Sequence, residues 1–274
     1  MFKRTVCFFA ALLLLALCAC SAPKTPEQTA APAATDEPQS ASDPVAADNP
    51  VPSPEADETE TYPDPEQGDP AATPEAPALT FDEAALAGLP EREEYLRLHE
   101  QNAQVLGWIT VPNTKINYAV ALGTDNDYYL SHTLEGEDSK SGAIFFDYRT
   151  DGALSCRHLI VYGHNMRAGT MFHDLGSYKY KDFFENNRII TLWAGSEKRQ
   201  YEVYAAFIAP RDVYFIREKF QDDQHFLDYM NDLKQRSKFP TDVELSPAGQ
   251  ILTLSTCTYE EPDARFVVQA RRVS

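Results

Sequence analysis

The chain has 274 residues, of which 43% are hydrophobic and 24% charged, with 19 prolines and a formal net charge of −18 at pH 7. The composition is ordinary for a globular protein except for the excess of proline and of negative charge. Because no basic stripe runs through the sequence, it gives no support for nucleic-acid binding through phosphate neutralisation.

The first element is an export signal over residues 1–21. Lys3 and Arg4 form its charged start, and Val6 to Ala19 is an apolar run of fourteen residues, which is short for a bilayer-spanning helix of about 20 residues. The run ends in Leu17-Cys18-Ala19-Cys20-Ser21, which resembles the lipobox of bacterial lipoproteins. We therefore expect the body outside the cytoplasm, held at a membrane by a lipid on Cys20 or, as the alternative, by a marginal helical anchor.

A linker follows over residues 22–78. Residues 21–78 contain thirteen of the nineteen prolines, thirteen acidic residues and a single base, Lys24, and so contribute −12 of the net charge. This composition cannot bury enough apolar surface to offset chain entropy, which predicts a disordered, proline-rich acidic linker. We interpret it as a solvated spacer. The alternative is that its negative charge keeps it away from an anionic surface.

Residues 79–274 form the predicted folded domain, whose 196 residues are enough for a full hydrophobic core without staples. Its only cysteines are Cys156 and Cys257, which excludes a disulfide framework. Neither cysteine has partners at zinc-ligand spacing, so no metal or cofactor is expected.

The domain is predicted to be mainly β. Two short helices are expected between Phe81 and Gln104, where Thr80-x-x-Glu83 has the pattern of a capping box. Phe226, Tyr229, Met230 and Leu233 follow helical spacing and predict one later helix. Eight short strands with few helices between them indicate a mostly antiparallel sheet that closes on itself. The predicted strands are Trp108–Val111, Ile116–Val120, Ala143–Tyr148, Leu159–Tyr162, Ile189–Trp193, Tyr201–Ala209, Ile251–Thr256 and Phe266–Ala270.

Cys257 ends a strand that alternates apolar and small polar residues, and Arg265 opens the next strand. If the two strands form a hairpin, these residues lie near opposite positions, where facing Cβ atoms are about 5 Å apart. A guanidinium beside a thiol favours the thiolate and can hold a carbonyl oxygen that becomes negative. This spacing makes Cys257 a candidate nucleophile.

A nucleophilic cysteine needs a group that handles protons, and His164 is the best candidate. It follows the apolar strand Leu159–Tyr162 through Gly163, which places its ring at the end of a strand. The sequence alone does not establish that this strand end is the one that holds Cys257. Each residue alone also has a structural explanation, as a small buried hydrophobe, a surface histidine or a solvated arginine.

Three separated motifs together resemble the sortases, the cysteine transpeptidases of Gram-positive cell surfaces. Thr253–Cys257 with Arg265–Ala270 is similar to the family's catalytic end, and Tyr162–Met166 to its histidine segment. The resemblance extends over nearly all of residues 81–274. The helix predicted over His225–Ser237, between two late strands, resembles the class B subgroup. Further similar segments are Gly107–Ile109, Thr124–Leu130 and Gly142–Asp147.

The resemblance implies an eight-stranded sortase-type β-barrel with Cys257 as nucleophile, His164 as general acid and base, and Arg265 as oxyanion and substrate clamp. It implies that Cys257 attacks the carbonyl after the Thr of a surface protein's C-terminal sorting signal. The acyl group would then pass to an amine of peptidoglycan precursor or of a pilin. By motif position, the residues implied to line the substrate groove are Asn126, Leu130, Ser255 and Ile216.

Two features depart from the family pattern. Sortases usually carry a plain signal anchor, whereas this chain has a lipobox-like ending and a long acidic linker. Cys156 has no counterpart, and about six residues at 3.3 Å separate it from the strand end at His164, so we expect a structural role. A cell-wall cysteine peptidase or amidase remains an alternative, as does an inactive membrane-tethered binding module.

Overall fold

A computed structural model describes residues 78–260 and 262–274. The expected signal segment with Cys20, and the linker up to residue 77, lie outside the described residues. Within the described part of the chain, no helix combines the length and apolar character needed to cross a membrane.

Eight strands of the described chain close into a barrel, in the order β1-β2-β3-β4-β7-β8-β6-β5. Six pairings are antiparallel, and β2–β3 and β4–β7 are parallel. Closure leaves no unpaired sheet edge among these eight described strands. The strands are β1 (Val105–Thr110), β2 (Asn117–Leu122), β3 (Ile144–Phe146), β4 (His158–Tyr162), β5 (Ile189–Ala194), β6 (Glu197–Ala209), β7 (Ile251–Cys257) and β8 (Arg265–Arg272).

The helices lie outside the barrel and are short. They are α1 (Arg92–Gln101), α2 (Tyr128–Ser131), α3 (Lys181–Asn186) and α4 (Asp223–Gln235), with 3-10 helices at Ala85–Gly88 and His173–Lys179. The eight predicted strands and the β-barrel are confirmed, as is the late helix, which begins two residues earlier than expected. The predicted capping box at Thr80 and Glu83 is wrong, because the first helical turn has Ala84 as its N-cap.

Alternation along the strands fills the barrel with apolar side chains. On β7, Leu252 and Leu254 are buried in the interior cluster, and on β8 Phe266 and Val268 belong to the same cluster. The residues between them therefore lie on the outer face of the barrel. Cys257 and Arg265 belong to this outer set.

Three groups of residues cover the outer face. The N-terminal helices pack on β1, β2 and β5 around Trp108 and Trp193. Residues of α4 pack against β6, β7 and β8, where Phe226, Met230 and Leu233 are buried. The segment that carries α2 packs on β3 and β4, with Tyr129 buried against the outer side chains of those strands. The candidate site lies on the face between the last two groups.

Candidate active site

Cys257 and Arg265 face each other at one end of the β7–β8 hairpin. They are register partners, the last and first residues of their strands. Thr258 N donates to Ala264 O at 3.3 Å just beyond them, and Asp263 takes a positive φ of 58° in the connecting loop. Cys257 is half-buried and Arg265 is 8% exposed. The expected juxtaposition of thiol and guanidinium is thus present in the backbone register.

His164 lies at the same end of the barrel because β4 runs parallel to β7. The ladder pairs Tyr162 with Ser255, so two residues further along His164 reaches the level of Cys257. The ladder is extended beyond β4 by Gly163 N, which donates to Ser255 O at 3.3 Å, and by Thr256 Oγ1, which donates to Gly163 O at 2.7 Å. The strand end that carries His164 is therefore the one that holds Cys257.

Only glycine fits at position 163. A Cβ there would overlap the Ile144 side chain and come within 3.0 Å of the Phe172 ring. Without a side chain, the backbone between Tyr162 and His164 packs closely on the core, and both neighbours remain on the outer face.

The His164 ring is held by a backbone carbonyl. His164 is 6% exposed, and its Nε2 lies 2.8 Å from Leu130 O. Since a carbonyl only accepts, Nε2 carries the hydrogen and donates it. In the neutral ring, Nδ1 is therefore the nitrogen left to take up a proton.

The position of Leu130 O is itself fixed by its surroundings. Gly142 has a φ of 56°, and a Cβ at this residue would overlap Tyr129 O and lie 2.8 Å from Leu130 O. Ala143 N donates to Tyr129 O at 2.9 Å, which ties α2 to the start of β3. The α2 backbone is thus held against the His164 ring.

A buried ion pair lies further along the same face. Asp147, at the end of β3, accepts from Arg149 Nε at 2.8 Å and from Tyr162 OH at 2.8 Å. Burial opposes ionisation of Asp147, but the hydrogen bonds from Arg149 outweigh it and hold the pKa of this carboxyl below its usual range. Arg149 also pairs with Glu218 and donates to Ile216 O at 3.1 Å.

Asn126 belongs to this network rather than standing open to solvent. It is buried, its Nδ2 donates to Asp147 Oδ2 at 3.2 Å, and its Oδ1 accepts from Tyr148 N at 3.0 Å. Both ends of the amide are therefore engaged within the protein.

Ile216 lies in the segment between β6 and α4, which has no regular secondary structure between Val213 and Phe220. Its side chain packs against the clusters that cover β4 and β8. His158 on β4 holds this segment against the barrel, because its Nδ1 donates to Arg217 O at 2.7 Å. Arg149 and His158 together place Ile216 over the outer face.

Ser255 lies on the same face as Cys257, two residues before it. The residue is 2% exposed, and its Oγ has no hydrogen-bond partner within the described residues. A buried hydroxyl without a partner costs free energy, so this oxygen is suited to a hydrogen bond with a bound ligand.

Cys156 lies at the opposite end of β4, next to His158. No disulfide joins it to Cys257. Burial, and secondarily the charge of Asp151, raise the pKa of the Cys156 thiol to about 12. This thiol stays protonated at neutral pH, in agreement with the structural role expected for it.

No motif in the sequence predicts a role for Asp147, Arg149 or His158. Arg149 and His158 lie outside conspicuous motifs, and only the fold brings their partners Ile216 and Arg217 beside them. The one sequence feature that could have indicated these residues is that isolated polar side chains flank the apolar strands.

We expect the buried His158 to make stability depend on pH. Burial lowers its pKa to about 4 from an ordinary 6.5, although the hydrogen bond to Arg217 O opposes the shift. The unfolded chain therefore binds the proton first, so stability is complete above pH 6.5 and is lost as the pH falls towards 4. The loss is about 3 kcal/mol. Urea unfolding at pH 7.0, 5.5 and 4.5 measures it.

A His158→Gln variant is the control for this prediction. Burial raises the pKa of Glu218, which changes stability with pH in the opposite direction. Because the glutamine does not titrate, only the His158 contribution disappears from the variant. An equally steep pH dependence in both proteins would contradict the assignment to His158.

The chain matches a family model described as "Sortase domain" over residues 109–273. It is 35% identical to sortase B of Listeria monocytogenes over 67% of this chain and 75% of that protein. It is 32% identical to sortase B of Staphylococcus aureus over 66% of this chain and 75% of that protein.

Solved structures agree with these matches. The Clostridium perfringens sortase B structure aligns with a TM-score of 0.62 at 34% identity, covering 65% of this chain and 99% of that one. A structure titled "Staphylococcus aureus sortase B-substrate complex" aligns with a TM-score of 0.63 at 30% identity, covering 70% and 93%.

Proposed function

The chain belongs to the sortase family and is a class B sortase, a cysteine transpeptidase. From this premise we propose that it cleaves a C-terminal sorting signal after Thr and joins the acyl group to an amine of peptidoglycan precursor or of a pilin. The observation that carries the proposal is the register of β4, β7 and β8, which sets His164, Cys257 and Arg265 at one end and on one face of the barrel.

Cys257 is the proposed nucleophile. Its thiolate attacks the backbone carbonyl carbon of the Thr in the signal, and the π electron pair of that carbonyl moves to its oxygen. The opposed Arg265 supplies fixed N–H donors and positive charge to that oxygen. A guanidinium beside the sulfur also favours the thiolate before attack.

His164 is the proposed general acid and base. As imidazolium it gives a proton to the departing amine when the C–N bond breaks, which leaves a thioester on Cys257. The incoming amine then attacks the thioester and gives a proton to His164, and the thiolate is expelled. Because Nε2 donates to Leu130 O, the proton passes through Nδ1.

Ser255, Leu130, Ile216 and Asn126 are the proposed substrate-binding residues. The unpartnered hydroxyl of Ser255 supports a direct hydrogen bond to the peptide. Leu130 and Ile216 lie on the segments that flank this face. Since the Asn126 amide is engaged with Asp147 and Tyr148, we propose that it acts by shaping the wall that the peptide contacts.

The proposed partners are surface proteins that carry C-terminal sorting signals, with the acceptor amine as the second substrate. Residues 79–274 form the proposed catalytic domain. Residues 1–21 are the proposed membrane anchor, lipidated at Cys20 or inserted as a helix, and residues 22–78 are the proposed linker. This arrangement would hold the domain at the extracellular face of the membrane, where it can bind both the sorting-signal protein and the acceptor amine.

The test is incubation of the full-length chain with a panel of sorting-signal peptides, with and without an amine acceptor, followed by mass spectrometry. Transfer predicts a ligated product whose yield rises with amine concentration. Release of the acid alone would favour a cell-wall peptidase or amidase. Failure of every peptide to form either product would favour a binding module.

A further inference from the structure

Asn165 joins the proposed base to the proposed nucleophile. It follows His164 directly in the chain, and its Nδ2 donates to the backbone carbonyl of Cys257 at 2.9 Å. One side chain therefore ties the residue after the imidazole to the residue that bears the thiol, across two strands that lie far apart in sequence.

The amide of Asn165 is oriented by His173. Asn165 Oδ1 lies 2.9 Å from His173 Nδ1. Because Cys257 O accepts only, Nδ2 must face it, and His173 Nδ1 must then donate to Oδ1. A flipped amide would set its oxygen against Cys257 O and its NH2 against the Nδ1 hydrogen of His173, so both partners oppose the wrong orientation. Nδ1 carries a hydrogen in the imidazolium too, so this bond survives protonation of His173.

The backbone of Asn165 is fastened as well. Its carbonyl accepts from Tyr259 OH in the β7–β8 loop, and the Arg167 guanidinium lies 5.5 Å from the Tyr259 ring centre. Asn165 also forms an isolated antiparallel bridge with Met171. The loop after His164 is thus closed on itself and pinned to the loop after Cys257.

These contacts matter because the pairing between β4 and β7 stops short of His164 and Cys257. The β4–β7 ladder ends at Tyr162 and Ser255. Two further bonds, from Gly163 N to Ser255 O at 3.3 Å and from Thr256 Oγ1 to Gly163 O at 2.7 Å, extend it only as far as Gly163. Proton transfer requires heavy atoms at hydrogen-bond distance, and a displacement of about 1 Å can cost on the order of 10²-fold in rate. The contacts of Asn165 hold His164 and Cys257 in place where the β4–β7 ladder does not.

We propose that Asn165 is a positioning residue for the His164–Cys257 pair and that His173 sets its orientation. This inference rests on the proposed function and adds two residues to the machinery that serves it. Neither residue touches the reacting atoms in this role.

The test compares Asn165→Ala with Asn187→Ala in the full-length chain. Asn187 is a matched control, because it is a buried amide whose Nδ2 donates to Phe183 O at 2.9 Å and whose Oδ1 accepts from Asn113 at 2.6 Å. The substrate is the sorting-signal peptide that the unmodified chain cleaves fastest. For Asn165→Ala we expect kcat to fall about 10- to 100-fold with KM within about twofold. For Asn187→Ala both constants should stay within about twofold.

Alkylation of Cys257 by iodoacetamide provides a second readout that a merely structural role would not move. The pH profile of the alkylation rate reports the coupling between thiol and imidazole. We expect the profile of Asn165→Ala to move towards that of His164→Ala and the profile of Asn187→Ala to match the unmodified chain.

His173 is tested by two substitutions. His173→Asn keeps an N–H donor near the position of Nδ1, so we expect kcat close to that of the unmodified chain. His173→Leu removes the donor and should lower kcat on the order of tenfold.

Retention of kcat in Asn165→Ala, or an equal loss in Asn187→Ala, would overturn the positioning role while the unmodified chain remains active. Absence of any product from the unmodified chain would instead overturn the proposed function, and the positioning role with it.

Discussion

Replacement of Cys257 by alanine is expected to abolish both peptide cleavage and transfer, a loss of at least about 10⁴-fold in kcat/KM. The reason is that no other described side chain can form the thioester at this end of the barrel. In the proposed mechanism Arg265 supplies charge and His164 handles protons, but neither replaces a sulfur nucleophile. Rates of peptide cleavage with and without amine measure the effect.

Cys156→Ala is the matched control for this variant. Cys156 is the other cysteine of the described domain, but it lies at the opposite end of β4 and burial raises the pKa of its thiol. We expect its replacement to leave kcat/KM within about twofold. Transfer by Cys257→Ala at a rate near that of the unmodified chain would exclude covalent catalysis by this residue.

Arg265→Lys is expected to lower kcat/KM by about 10²- to 10³-fold, the range found when an oxyanion donor is lost. The substitution keeps the positive charge but replaces a planar fork of five donors with a single ammonium on a flexible stem. Arg265 begins β8 directly opposite Cys257 and is 8% exposed. We therefore expect its donors to be held at the reacting carbonyl, whereas a lysine would pair with water or other acceptors.

Arg271→Lys controls for loss of an arginine from the same face of the same strand. Arg271 lies six residues further along β8, where it donates to Glu202 at 2.9 Å and to Glu244 O at 3.0 Å. Such a half-exposed pair contributes about 1 kcal/mol or less to stability, so activity should stay within about twofold. Equal losses in the two variants would mean that Arg265 acts only through the fold.

The strands could be predicted from sequence because a period of two residues is a local signal. The pairing of Cys257 with Arg265 could also be predicted from local sequence, because a short connection between two strands fixes their register. The β7–β8 pairing confirms that expectation.

The place of His164 could not be derived in the same way. It depends on the parallel pairing of β4 with β7, whose residues lie about ninety positions apart and are joined through β5, β6 and α4. No local spacing encodes such a pairing, because the connection between parallel strands is long and variable. The resemblance to a family, rather than any periodicity, is what predicts that His164 lies near Cys257.

The short elements escaped prediction because they are too brief to show a period. α2 has four residues and α3 has six, whereas a helical face needs two turns or more to be visible in sequence. The polar network around Asp147 was missed for a different reason. Asn126 and Tyr162 donate to Asp147, and Ile216 O accepts from Arg149. These three residues come from separate segments, and only closure of the barrel gathers them.

The most direct test of the central claim is to locate the acyl group after reaction. The full-length chain is mixed with a sorting-signal peptide in the absence of amine, quenched in acid and digested, and the fragments are weighed by mass spectrometry. We predict that the fragment containing Cys257 gains the mass of the peptide up to its Thr, that the fragment containing Cys156 is unchanged, and that added amine removes the label. An acyl group on any other residue, or a label on Cys257 that amine does not remove, would contradict the account.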